Sequence, residues 1–169
     1  KVLERIGKGI GGTICDIDTL GIDYIAVDEA HNFKNVFDGV PQEKVKDEKG
    51  KGQKSMPKFS ISGSPSVRAQ KLFLLTNYIQ RTFNGNVMLL TATPFSNSPL
   101  EIFSMLSFVG YESLKKYNLK NIVRFFETFV NETVEYSYNI KEELVLKPVI
   151  KSFNNTQILQ KLLYNHFDY

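Results

Sequence analysis

The chain has 169 residues, of which 42% are hydrophobic and 23% are charged, the composition of an ordinary globular domain. Its single cysteine, Cys15, excludes an internal disulfide and a zinc site made of several thiolates. No apolar run approaches the roughly 20 residues of a membrane-spanning helix, and nothing near Lys1 resembles a signal peptide. These features predict a soluble, cytoplasmic segment of a longer protein, with enough residues for one domain.

The first predicted elements are a short helix and a strand. Thr13 and Asp16 have the spacing of a capping box, and Gly21 is typical of a helix end. The apolar run Tyr24–Val27 then has the length and composition of a strand that is buried on both faces. It stops abruptly at the cluster Asp-Glu-Ala-His.

A lysine-rich stretch occupies residues 41–58, where six lysines stand against three acidic residues although the whole chain carries only +3. The lysines are Lys44, Lys46, Lys49, Lys51, Lys54 and Lys58. Because this stretch has no aromatic residue and little else to bury, we predict a mobile surface loop over about 36–63. Two interpretations stay open, a solvated insertion or a loop that binds phosphate groups.

A second helix and a second strand follow this loop. Ser64–Pro65 supplies a cap and a first-turn proline for a helix over about 65–81. The run Val87–Leu90 is again fully apolar, and it ends in Thr91–Pro94. The pattern therefore repeats that of the first strand, with polar residues directly after an apolar run.

The last part of the chain is predicted to be mainly helical. Ser98–Glu101 is a capping box that opens a helix to about Val109, and residues 119–130 keep a helical period. Residues 134–150 alternate irregularly, which indicates one or two strands, and Thr156 begins a last amphipathic helix. Helices that alternate with buried strands predict an α/β fold with a mostly parallel sheet.

Both polar clusters are candidates for a common site, because ligands of open α/β sheets sit outside the carboxyl ends of the strands. Asp28 and Glu29 follow the first strand, and Thr91 and Thr93 follow the second. Adjacent carboxylates at the end of a buried strand need a compensating cation or hydrogen bonds. Mg²⁺ with a nucleotide phosphate fits this need, with Asp28 holding the metal and Glu29 orienting the attacking water.

These residues resemble a known family. Val27–His31 resembles motif II of superfamily-two helicases, and Leu90–Pro94 with Asn97 resembles motif III. The longer run Asp28–Asn35 is similar to Swi/Snf-type DNA translocases, above all to translocase regions of large bacterial and phage proteins that also carry adenine-specific DNA methyltransferase modules. Leu20–Asp23 adds to the likeness, which covers residues 13–110 well.

The resemblance implies a partial first RecA-like lobe, of the P-loop NTPase class, that lacks the Walker A strand. By this resemblance Asp28 binds Mg²⁺, Glu29 activates water, and His31 links the nucleotide site to motif III. Residues that would couple the ATP state to DNA contacts are Thr91, Thr93 and Asn97. The zinc-protease pattern His-Glu-x-x-His is absent, and His166 is predicted to be structural.

The resemblance also implies cofactors and partners. The parent protein would use ATP and Mg²⁺ and move along double-stranded DNA, with a methyltransferase module as a possible neighbour. Candidate DNA contacts are Lys44, Lys46, Lys49, Lys51 and Lys54. The family's second RecA-like lobe is expected beyond this segment.

The phosphate loop G-x-x-x-x-G-K-[ST] is not found in this sequence. Residues 7–13 have glycines without the Lys-Ser/Thr ending, and residues 52–55 have Lys-Ser without the preceding glycine. We therefore expect the 169-residue chain to be inactive as an ATPase by itself. Two alternatives stay open, the motor subunit of a restriction enzyme and a non-catalytic DNA-binding or scaffolding fragment.

The missing strand leads to one further expectation. By the resemblance, Val87–Leu90 has a neighbour on one side only, namely the strand Tyr24–Val27. We expect its other edge to be covered by residues 1–12, by residues 134–150 or by a second copy of the chain, because an open strand edge invites strand addition.

Overall fold

The computed structural model describes residues 19–40, 61, 63–94, 98–138, 142 and 144–168. The helix predicted near Thr13, the lysine-rich stretch 41–58 and Asn97 therefore lie outside the described residues. The elements in chain order are β1 (Ile25–Val27), a one-turn 3₁₀ helix (Ala30–Phe33), α1 (Val67–Phe83), β2 (Val87–Leu89), α2 (Pro99–Val109), α3 (Tyr111–Lys116), α4 (Ile122–Phe129), β3 (Val130–Tyr138), β4 (Leu144–Phe153) and α5 (Thr156–Tyr164).

Strands β1 and β2 form a parallel pair in which Ile25 lies opposite Val87 and Val27 lies opposite Leu89. Val27 and Leu89 pack against a buried cluster that includes Leu72 of α1 and Phe108 of α2. The prediction that both strands are buried on both faces is wrong for the described part of the chain. Tyr24, Met88 and Leu90, which alternate with the packed residues, are 51%, 42% and 43% exposed.

The helix starts follow local capping chemistry. Helix α1 begins after Ser66, whose hydroxyl accepts a hydrogen bond from the Ala69 amide at 3.1 Å, rather than after Ser64 as predicted. The predicted start of α2 is confirmed, because the Ser98 hydroxyl accepts from the Leu100 amide at 3.2 Å. The predicted end of α2 at Val109 is also confirmed.

Helix α2 forms the centre of the core, and ten of its eleven residues are buried. A helix that is apolar on nearly every side is stable only when neighbours surround it. Helices α1, α3 and α4 and strand β2 supply those neighbours. Phe103 of α2 meets Phe125 of α4 with ring centroids 5.1 Å apart, and Phe125 in turn meets Phe129 at 4.9 Å.

Strands β3 and β4 form an antiparallel hairpin, with a register shift between Asn131 and Glu132. The described residues of 134–150, namely those of β3 and β4, therefore pair with each other, and the expectation that this stretch covers the free edge of β2 is wrong for them. The last part of the chain, for which the sequence predicts a helical extension over about 113–169, contains most of α3, then α4, the hairpin and α5.

The mixed α/β class is confirmed, but the sheet differs from the predicted one. Within the described residues the parallel sheet has two strands of three residues each, whereas the longest strands belong to the antiparallel hairpin. No helix among the described residues is long and apolar enough to span a bilayer.

Candidate active site

The two predicted polar clusters meet at one edge of the parallel sheet. We call Asp28–His31 the acidic turn and Thr91–Pro94 the threonine loop. Parallel pairing places the carboxyl ends of β1 and β2 side by side, and the Ala30 amide donates to the Leu90 carbonyl oxygen at 3.0 Å. A backbone hydrogen bond therefore joins the acidic turn to the residue that directly precedes the threonine loop.

Glu29 is held in a left-handed backbone conformation, with φ 50° and ψ 47°. Such a conformation costs a residue with a Cβ about 1 kcal/mol or more, and it persists only where neighbours impose it. The Asp28 carboxylate accepts from the Glu29 amide at 2.8 Å, and the Glu29 carbonyl accepts from the Asn32 amide at 3.0 Å. These bonds turn the chain sharply after β1, so that the Glu29 side chain lies at the sheet edge.

His31 contacts both clusters through one nitrogen. Its Nδ1 lies 3.2 Å from Oε2 of Glu29 and 3.1 Å from the hydroxyl oxygen of Thr91. An ionised carboxylate can only accept hydrogen bonds, so a proton on Nδ1 suits both neighbours and leaves Nε2 for other partners. The imidazole is therefore a bridge between the acidic turn and the threonine loop.

The threonine loop is ordered by its own first residue. The Thr91 hydroxyl oxygen accepts from the Thr93 amide at 3.3 Å, while the Thr93 side chain is exposed. A hydroxyl has two acceptor lone pairs, so the Thr91 oxygen can accept hydrogen bonds from the His31 ring and from the Thr93 amide at the same time. Thr91 thus relates the conformation of its own loop to the position of His31.

The donor set at the acidic turn fits a magnesium ion that is held mainly by a substrate. Mg²⁺ is commonly bound by one or two carboxylates, with waters and phosphate oxygens completing the octahedron. Asp28 is exposed, and its Oδ1 is fixed by the Glu29 amide. The carboxylate can therefore offer its remaining oxygen lone pairs to a metal that arrives with a nucleotide.

An ion pair behind the site was not anticipated from the sequence. The Lys34 ammonium lies 2.7 Å from a carboxylate oxygen of Glu101, whose side chain is only 9% exposed. A clue was present in the sequence, since Glu101 is the only charged residue in the largely apolar helix α2. A buried acid in such a helix needs a cationic or hydrogen-bonding partner.

The described residues on either side of the lysine-rich stretch pair with each other. Val40 and Ile61 exchange two backbone hydrogen bonds of 2.7 Å, and the Gly39 amide donates to the Gly63 carbonyl at 3.1 Å. A Cβ on Gly39 would lie 2.5 Å from the Ile61 oxygen, so only glycine allows this approach. We call these four residues the loop clamp. Lys44, Lys46, Lys49, Lys51 and Lys54, the candidate DNA contacts, lie outside the described residues.

His166 lies away from the two clusters. Its Nε2 is 3.1 Å from the Ser113 hydroxyl, and its ring covers Gly110, where an added Cβ would lie 2.6 Å from Nε2. Burial lowers the pKa of His166 below its ordinary value. The contacts tie the segment after α5 to the start of α3.

Comparisons with known proteins agree with a helicase-related origin. The sequence model of a family described as "Probable helicase domain" matches residues 10–169. The chain is also similar to the Defense against restriction protein B of Escherichia phage P1, with 24% identity over 152 residues. That match covers 87% of this chain but only 6% of the phage protein. No solved structure matches the chain. Because the family match spans nearly all of its residues, the chain belongs to the probable helicase domain family.

Proposed function

We propose that this chain is part of the motor of an ATP-dependent, Swi/Snf-like DNA translocase, in which it supplies motif II and motif III of a RecA-like lobe. The observation that carries the proposal is the double contact of His31, which reaches Glu29 at 3.2 Å and Thr91 at 3.1 Å. A hydrolytic site that drives movement needs this kind of physical link between the reacting end and a neighbouring loop.

The acidic turn would carry the chemistry. Asp28 would hold Mg²⁺, which supplies charge neutralisation for the phosphate oxygens when it is bound with ATP. Glu29 would orient a water molecule and accept its proton. The left-handed backbone of Glu29 supports this role, since strained conformations cluster at functional sites.

The threonine loop would report the nucleotide state. When Glu29 exchanges its contact with His31 for a contact with water, the imidazole is free to change its bond to Thr91. Because Thr91 also holds the Thr93 amide, that change would reach the loop backbone. Thr91, Thr93 and Asn97 would in this way couple ATP turnover to double-stranded DNA.

The phosphate-binding loop and the second RecA-like lobe would come from other parts of a longer protein. The phage P1 relative supports the idea of a longer protein, because its match with this chain covers only 6% of its length. A methyltransferase module is a further possible neighbour in the same protein.

A second candidate is a non-catalytic scaffolding fragment in a protein that acts against restriction, the role given in the name of the phage relative. The two candidates differ in what Glu29 does. If the full-length protein protects DNA from a restriction enzyme, a motor should lose protection in Glu29→Gln, whereas a scaffold should keep it. The third possibility, a restriction-enzyme motor subunit, would degrade DNA instead of protecting it.

The deciding experiment is Glu29→Gln in the full-length protein. The change keeps the shape of the side chain but removes the charge, so DNA-stimulated ATP turnover should fall by about 10³-fold while nucleotide binding survives. Glu112→Gln is the matched control, because this exposed acid on α3 pairs only with Arg81 and Lys115 among the described residues. Near-normal turnover in Glu29→Gln would refute the proposed role.

A further inference from the structure

The Lys34–Glu101 ion pair joins the segment that follows the acidic turn to the first turn of helix α2. Lys34 directly follows the 3₁₀ helix that contains His31, and Glu101 is the third residue of α2. Their charged atoms are 2.7 Å apart, with side chains 25% and 9% exposed. At that burial the pair is shielded from solvent, so its geometry is better defined than that of a surface pair.

Lys34 is coupled to His31 by the geometry of a single helical turn. In a 3₁₀ helix, side chains three residues apart eclipse one another, so His31 and Lys34 lie on the same side of the turn. The Lys34 amide also donates to the His31 carbonyl at 3.4 Å. A displacement of Lys34 therefore moves His31 with it.

The turn is anchored to α1 by other groups. The Asn35 carbonyl accepts from the Ser66 amide at 2.9 Å, and the Arg68 guanidinium stacks on the Phe33 ring at 5.0 Å. Lys34 supplies the corresponding anchor to α2. The position of the acidic turn relative to α2 thus depends on this charged contact together with the packing of Phe33 against the cluster that includes Met105 and Phe108 of α2.

The same lysine is poorly suited to hold a ligand in the adjoining cavity, which measures about 460 Å³. Its ammonium already faces the Glu101 carboxylate. The first amides of α2 also have partners already. The Ser98 hydroxyl accepts a hydrogen bond from the Leu100 amide, and the Ser98 carbonyl accepts one from the Glu101 amide. The geometry therefore points to an internal role for Lys34.

We propose that Lys34 and Glu101 are positioning residues that set the placement of Glu29 and His31 against the threonine loop. This inference rests on the proposed function. Helix α2 begins five residues after Pro94 in the chain, and its Glu101 pairs with Lys34, which follows the acidic turn by three residues. Movement of α2 would shift both clusters together and keep them in register during turnover.

The test uses Lys34→Met in the full-length protein, with Lys34→Arg as the conservative variant. Misplacement of a catalytic group by a fraction of an ångström should lower the DNA-stimulated kcat by about 10- to 100-fold. The KM for ATP should stay within about twofold, because the phosphate-binding loop is not touched. Lys34→Arg should keep most of the wild-type kcat, since it preserves the charge pairing.

Loss of stability is separated from loss of positioning by the double variant Lys34→Met/Glu101→Leu. Replacing both charges with apolar groups removes the buried carboxylate that has lost its lysine, so the melting midpoint should recover from its value in Lys34→Met. The kcat should nevertheless stay low. A double variant with wild-type kcat would overturn the inference, as would a folded Lys34→Met protein with normal kcat or a Lys34→Arg protein as slow as Lys34→Met.

Glu29→Gln, measured in parallel, keeps the two proposals apart. If that variant hydrolyses ATP normally, the proposed function fails. If it is inactive while Lys34→Met and the double variant retain normal kcat, only the positioning inference fails. Glu112→Gln again serves as the control, because it breaks exposed ion pairs outside the site.

Discussion

The imidazole Nδ1 of His31 lies 3.1 Å from the hydroxyl oxygen of Thr91, although sixty positions separate the two residues in the chain. The contact exists because each residue follows a strand of the same parallel pair. It ties a loop hydroxyl to an imidazole that also touches the Glu29 carboxylate. A change in the position of the Glu29 carboxylate can therefore reach Thr91 through the His31 ring, and a change at Thr91 can reach Glu29 in the same way.

Replacing Thr91 with valine should uncouple DNA binding from ATP turnover in the full-length protein. Valine keeps the branched shape but removes the hydroxyl that serves both His31 and the Thr93 amide. We expect the stimulation of turnover by DNA to fall about tenfold, the effect of losing roughly 1.4 kcal/mol of coupling. Thr91→Ser should retain the stimulation. Equal stimulation in the valine and wild-type proteins would show that the hydroxyl has no coupling role.

Glu29→Gly should yield a more stable protein than Glu29→Ala. The backbone at this position is left-handed, a conformation that glycine adopts freely and that costs a residue with a Cβ about 1 kcal/mol. Denaturant unfolding of the two variants measures this difference without any contribution from the lost carboxylate. Asn118, at φ 58° and outside the site, provides the matched glycine–alanine pair. Equal stabilities of the two Glu29 variants would mean that the backbone relaxes on mutation.

Much of the local structure was predictable, because capping boxes and apolar runs are local features. The helices after Ser98 and at Thr156 begin as predicted, whereas α1 begins after Ser66 instead of Ser64, because both serines can cap a helix and the local sequence does not distinguish them. The exposure of Met88 was not predictable, since an apolar run carries no information about whether a second layer covers it. The ion pair between Lys34 and Glu101 depends on where α2 lies in the tertiary structure, so it could not be predicted from the sequence alone.

The lysine-rich stretch should contribute to DNA affinity through phosphate contacts. Each neutralised phosphate adds roughly 0.9 to the slope of log affinity against log salt concentration. Replacing Lys44, Lys46, Lys49 and Lys51 with glutamine in the full-length protein should therefore flatten the slope and leave the sequence preference unchanged. Fluorescence anisotropy at several salt concentrations measures both quantities. An unchanged slope would favour the interpretation as a solvated insertion.

Stability should fall in mildly acidic solution because of His166. Burial lowers its pKa in the folded protein, so the unfolded chain binds more protons between that lowered value and the ordinary value of 6.5. The stabilising contribution of the neutral ring is complete above about pH 6.5 and is lost as the pH falls through the folded pKa. Comparing unfolding at about pH 7.5 and 5.5 should show a smaller loss in His166→Gln than in wild type. Identical losses would assign the pH dependence to other groups.

Gly110→Ala should destabilise the protein by about 1–3 kcal/mol, the usual effect of overpacking. The new methyl group would lie 2.6 Å from Nε2 of His166. The double variant Gly110→Ala/His166→Ala should recover part of this loss, because the clash disappears with the ring, and a double-mutant cycle gives the interaction energy directly. Strict additivity of the two single effects would rule out the steric explanation.

The loop clamp should allow the segment between its two sides to vary in length at a small cost in free energy. Val40 and Ile61 bring the two sides of the intervening segment together through backbone hydrogen bonds, which do not depend on the side chains of that segment. Closing a longer chain between fixed ends costs only roughly 0.6 kcal/mol for each doubling of its length. Related proteins can therefore lengthen, shorten or exchange residues 41–60 without moving the acidic turn, and the same position is suited to insertion of a reporter domain or a protease site.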